Sequence, residues 1–133
     1  MCEKLCLPAK AELTLTLPQG GASPFAAAVA AAAAEVPRAA DLAALGGALE
    51  PAGADAWRLC VQTEPGPKRD LFVEAPEGWW FATKPGADAD GRACFALDLQ
   101  QKPDGAALPI NVRATLTGGS GAREFPLTFA AKP

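Results

Sequence analysis

The hydrophobic period of the chain changes twice. Residues 12–17 alternate strictly, with Leu13, Leu15 and Leu17 on one side and Glu12, Thr14 and Thr16 on the other. That pattern predicts a half-buried β-strand, ended by Pro18-Gln19-Gly20-Gly21. The next run is helical in character. Ser23 offers an N-cap and Pro24 suits the first helical position. The run Ala26 to Ala34 has very high helix propensity, and Pro37 stops it, with Val36 already pushed towards extended geometry. The expectation is a helix of about 12 residues, roughly 18 Å long. Its larger apolar side chains, Phe25, Val29 and Val36, share one narrow stripe that suits packing on a sheet. A short turn from Asp41 to Leu45 closes on Gly46, and residues 46–56, rich in Gly, Ala and Pro, read as a connector.

Beyond the connector the period is two and stays so. Trp57, Leu59 and Val61 alternate with Arg58, Cys60 and Gln62. Leu71, Val73 and Ala75 mark a second run, and Trp79 to Thr83 a short third. Ala93, Phe95, Leu97 and Leu99 alternate with Arg92, Cys94, Ala96 and Asp98. Ile110, Val112, Ala114 and Leu116 alternate with Asn111, Arg113, Thr115 and Thr117, and Phe125, Leu127 and Phe129 complete the set. Turn signals at Pro65-Gly66-Pro67, Pro85-Gly86 and Pro103-Asp104-Gly105 separate the runs, and Gly118 to Gly121 reads as a hairpin link. Short strands at such spacing predict a mainly β chain, a β-sandwich. Three parts follow: residues 1–22, a cysteine segment and isolated strand expected to be the remnant of a preceding sandwich; 23–55, an Ala-rich helix and linker; and 56–133, the sandwich. The first strand is separated from the others by about 40 residues, longer than ordinary connections. Its leucine face must join the sandwich, pair with another copy or stay exposed as an open edge.

Composition narrows the chemistry. The chain has 133 residues, one domain's worth. Its net charge of −3 leaves no basic excess for a nucleic-acid groove or for anionic lipid. The absence of histidine excludes Ser-His-Asp triads, Cys-His dyads and histidine-ligated metals. The longest apolar run, Ala26 to Ala34, is nine residues, whereas a membrane-crossing helix needs about 20. Met1-Cys2-Glu3-Lys4 opens no signal-peptide h-region, so the expectation is a protein that stays in the cytoplasm or a piece of something longer. Glu74 with Glu77, or Asp88 with Asp90, are carboxylate pairs in turn-like, solvated stretches and read as surface rather than catalytic groups. Trp79-Trp80 admits two readings, core filling or a contact surface, and core filling is preferred.

Four cysteines are the only obvious reactive side chains. Cys60 and Cys94 lie on separate strands, both on the polar side of the alternation, and could face each other across a sheet. A bridge there closes a loop of about 35 residues, worth about 4 kcal/mol. Two unrelated free thiols are the preferred reading. Cys2 and Cys6 would close a loop of about five residues, worth only about 2 kcal/mol. On a regular helix their Cβ atoms would stand about 5–6 Å apart, against about 3.8 Å in a disulfide. Such a pair suits exchange more than stapling, with Lys4 favouring a thiolate and Glu3 opposing it. The bland alternative is two incidental cysteines near a frayed end. A zinc tetrathiolate lacks the usual close pair in the second half of the chain. Copper(I) between Cys2 and Cys6 fits soft-ligand chemistry, with only Met1 to assist.

The stretch Cys2-Glu-Lys-Leu-Cys6-Leu-Pro-Ala-Lys-Ala-Glu-Leu-Thr-Leu-Thr-Leu-Pro18 resembles the C-x-x-x-C-V-P-x-x-A-x-L-x-L-x-L-P stretch in the periplasmic amino-terminal region of DsbD-type thiol:disulfide interchange proteins. The ScsB-like subgroup, linked to copper tolerance, is the most similar. Asp70-Leu-Phe-Val-Glu-Ala-Pro76 with Trp79-Trp80 is similar to that family's D-L-F-x-E-x-P…W segment, and the alanine helix ending Val36-Pro37-Arg38 continues the likeness. The resemblance implies an immunoglobulin-like sandwich in the periplasm. It implies that Cys2 and Cys6 take electrons from a thioredoxin-like domain and pass them to periplasmic disulfide-bonded proteins, with no cofactor or metal. It gives Cys60 and Cys94 no clear role. The family's region starts with a sandwich ahead of its cysteine stretch, so this sequence corresponds to the rear part of that region. A non-catalytic immunoglobulin-like binding module is the alternative.

Overall fold

The structure, a computed structural model, describes residues 10–16, 20–21, 23–63, 69–119 and 121–131. Two four-stranded sheets face each other as a β-sandwich. In chain order the strands are β1 (Arg38–Ala39), β2 (Ala48–Pro51), β3 (Ala56–Gln62), β4 (Asp70–Glu74), β5 (Trp80–Pro85), β6 (Arg92–Gln101), β7 (Ile110–Thr117) and β8 (Arg123–Phe129). One sheet runs β1-β8-β7-β4 and the other β2-β3-β6-β5. Every pairing is antiparallel except the short parallel contact of β1 with β8. β7 and β8 are antiparallel neighbours, as the glycine-rich link between them predicts.

The alternation works as expected because both sheets bury one face. Trp57, Leu59, Val61, Phe95 and Leu97 point inward from one sheet, and Leu71, Val112, Leu116, Phe125 and Phe129 from the other. Phe129 on β8 binds the layers together. Its ring stacks on Phe81 of β5 at 4.3 Å and meets Trp57 of β3 edge-on at 4.8 Å, the geometries aromatic quadrupoles prefer.

Three expectations change. The connector over 46–56 contains a strand: β2 pairs with β3, Leu49 opposite Leu59. β1 also comes from the stretch read as helix and linker. Neither carries the β-branched or aromatic residues that announce a strand, and pairing with a neighbour is what holds them extended. The helix α1 spans Ala26–Ala34, shorter than expected. Ser23 accepts a hydrogen bond at its hydroxyl from the Phe25 N–H, 3.1 Å, but regular helix begins only at Ala26. No residue of α1 is buried, so it does not pack on a sheet. Finally, the leucine alternation forms no ladder over 10–16. Those residues belong to no helix or strand and pair with no strand among the described residues, and Leu13 and Leu15 are 93% and 80% exposed.

Candidate functional site

Cys2 and Cys6 lie outside the described residues. Cys60 and Cys94 are joined in a disulfide, S–S 2.08 Å, which replaces the reading of two free thiols. The backbone shows why the pair fits. The even-numbered residues of β3 direct their polar groups to β2, because the Gln62 N–H donates to the Leu45 carbonyl at 2.8 Å and the Ala56 carbonyl accepts from Ala52, also at 2.8 Å. The Cys94 carbonyl accepts from the Gly86 N–H at 2.8 Å, on the side of β5. Cys60 and Cys94 therefore oppose each other as a non-hydrogen-bonded pair, the closer of the two antiparallel pair types. Their Cα atoms are 4.1 Å apart.

The disulfide sits on the outer face of its sheet, in the same rows as Arg58, Gln62 and Asp98, yet the two cysteines are only 5% and 3% exposed. Neighbouring chain crowds them. A Cβ on Gly86 would stand 3.3 Å from the Cys94 carbonyl oxygen, so glycine permits the close approach there. The signal for the bridge was present in part, since both cysteines share the polar parity of their strands. Parity gives the face; only register gives the partner. The bridge also uses two of the four thiolates a zinc tetrathiolate would need. Among the described residues no group of three or more His, Cys, Asp or Glu is placed to hold a metal ion.

The tryptophan pair splits. Trp79 is partly buried, packs against the core and stacks with Phe81, 6.4 Å between ring centres. Trp80 is 60% exposed. Consecutive residues on an extended chain point to opposite faces, so the core reading holds for the first, while the second faces outward.

Three of the acidic residues considered as pairs each meet an arginine. Asp88 meets Arg69 at 2.8 Å, Asp90 meets Arg92 at 3.7 Å, and Glu74 meets Arg113 at 3.8 Å. A recess of about 710 Å³ crosses the outer face of the β1-β8-β7-β4 sheet between Asp41 and Glu74, floored by Arg113 and Pro126. Arg113 also pairs with Glu124 at 3.5 Å. Among the described residues the lining of the recess holds no Ser, Thr or Cys nucleophile. No helix of the described residues is long and apolar enough to cross a membrane. Compared with models of known families, with curated proteins and with solved structures, the chain matches none, so the DsbD-type resemblance stands on the residues quoted for it.

Proposed function

We propose that the protein is a periplasmic thiol:disulfide exchange module in which Cys2 and Cys6 are the exchanging pair and the two-sheet, immunoglobulin-like body is their carrier. The observation that carries this reading is the Cys60–Cys94 disulfide. A buried structural disulfide belongs to an oxidising compartment, the setting in which such exchange takes place. It also withdraws two of the four sulfurs, leaving Cys2 and Cys6 as the reactive ones. In the reaction, one thiolate of the reduced pair attacks a disulfide of a periplasmic protein and expels one of its sulfurs. The second thiol, losing its proton, attacks the mixed disulfide. The substrate leaves as a dithiol and Cys2–Cys6 is left oxidised. A thioredoxin-like dithiol then reduces it by the same two steps.

The test is incubation of the oxidised chain with a reduced thioredoxin-like protein, followed by alkylation and mass mapping. Cys2 and Cys6 become labelled together, while Cys60–Cys94 stays joined. If Cys2 and Cys6 never form a bond to each other under mild oxidant, the reading fails. A second reading, a non-catalytic binding module, is favoured by the exposed indole of Trp80, since tryptophan is enriched where partners bind. Trp80→Ala that folds normally but loses a partner supports it.

A further inference from the structure

The two outer faces of the sandwich differ in charge. Along β4 the outward row is Asp70, Phe72 and Glu74. Register carries that face across the sheet. Phe72 lies opposite Thr115 and Thr115 opposite Glu124, while Glu74 lies opposite Arg113 and Arg113 opposite Pro126. Asp41 stands at the far end of the recess that crosses these strands. Among the described residues this face therefore sets Asp41, Asp70, Glu74 and Glu124 against Arg113 alone. Arg38 and Arg123 oppose each other in the register of buried Leu116 and do not join the outer rows. The other sheet's outer face has the reverse balance, with Arg58, Lys84 and Arg92 against Glu50 and Asp98.

Shape and chemistry match the sign. Phe72 is 57% exposed on the edge strand β4, with a carboxylate two residues away on either side, about 7 Å along the strand. A cation laid over this ring meets the negative face of the π-system with those carboxylates close by. In the recess, Ala75, Pro76 and Pro126 offer apolar surface to the methylene stem of a lysine. Arg113 leaves the acids available. It stands 3.8 Å from Glu74 and 3.5 Å from Glu124 with 59% of its side chain exposed, and such pairs are weak in water. From Glu124 on β8 to Phe72 on β4 is two strand spacings, about 10 Å. Cations at alternate residues of an extended segment, about 7 Å apart, reach both.

We propose that the outer face of the β1-β8-β7-β4 sheet docks a basic segment of a partner protein, with lysine or arginine side chains seated on Phe72 and against Glu74 and Glu124. Charge selects this occupant. A second copy docked about a two-fold axis would set this face against itself, like charge on like charge. The inference does not depend on exchange by Cys2 and Cys6.

The test uses the full chain and two capped peptides, Lys-Gly-Lys-Gly-Lys and the same peptide with every lysine acetylated. In an NMR titration at low salt, the charged peptide shifts the amides of Phe72, Glu74, Arg113 and Glu124 and half-saturates below about 1 mM. The shifts fade as salt rises to about 0.2 M, and the acetylated peptide produces none. Glu74→Gln with Glu124→Gln weakens binding about tenfold, and Phe72→Ala about threefold. Arg113→Gln tightens it about threefold by removing the competing cation. Glu50→Gln, on the other sheet, leaves it unchanged. Unchanged urea midpoints show that the variants fold, and the wild-type shift map needs no variant. Absence of shifts at about 1 mM peptide overturns the proposal. So do shifts centred on the other sheet, equal binding of the acetylated peptide, or weaker binding by Arg113→Gln. Self-association that shifts the same amides without peptide overturns it in favour of a second copy.

Discussion

Leu59 and Leu13 belong to runs of the same design, an apolar residue at every second position, yet Leu59 is fully buried and Leu13 is 93% exposed. The difference is what lies beside each run. β3 has β2 on one side, β6 on the other and a second sheet across from it. Residues 10–16 have no partner strand in the described structure. Alternation says that a segment is able to be half of something, and packing decides whether the other half is present. The sandwich completes its own pairing and carries Pro51 and Pro85 on its edge strands β2 and β5. Ahead of it, Leu13 and Leu15 stay exposed.

Substitutions should sharpen this contrast, the largest effect coming from the aromatic centre. Phe129→Ala removes the ring that joins Phe81 and Trp57 and lowers unfolding free energy by about 3–5 kcal/mol in urea titration. Replacing Cys60 and Cys94 together by alanine costs about 2–4 kcal/mol, by release of the 34-residue separation they close. Gly47→Ala costs about 1–3 kcal/mol in the same assay, because the new Cβ would lie 2.9 Å from the Leu42 carbonyl oxygen. Val29→Ala on α1 shifts the sandwich's stability by less than about 0.5 kcal/mol, since nothing in that helix is buried. Loss of stability from Val29→Ala comparable to that from Gly47→Ala would erase the distinction between the two regions.

Much of the sandwich was legible because its long strands carry large residues at period two. Trp57, Leu59 and Val61 announce β3, and Ile110, Val112 and Leu116 announce β7. β1 and β2 were hidden for the opposite reason. Arg38–Ala39 and Ala48–Pro51 are short and lack β-formers, and neighbouring strands hold them in place. The disulfide was half legible. The side of the sheet could be read from the parity of Cys60 and Cys94, but their opposition depends on register, which forms only when the strands pair. The helix was legible in kind and over-extended in length, because Ser23 and Pro24 shape the turn before it rather than its first turn. Cys2 and Cys6, which the sequence singles out, lie outside the described residues.

That division of labour among the sulfurs is tested most directly by poising the folded chain in a series of thiol–disulfide buffers and counting alkylated cysteines by mass. The account predicts that Cys2 and Cys6 open together in mildly reducing buffer while Cys60–Cys94 remains closed until the protein unfolds. Opening of Cys60–Cys94 first, or alongside the other pair in the folded protein, would contradict it.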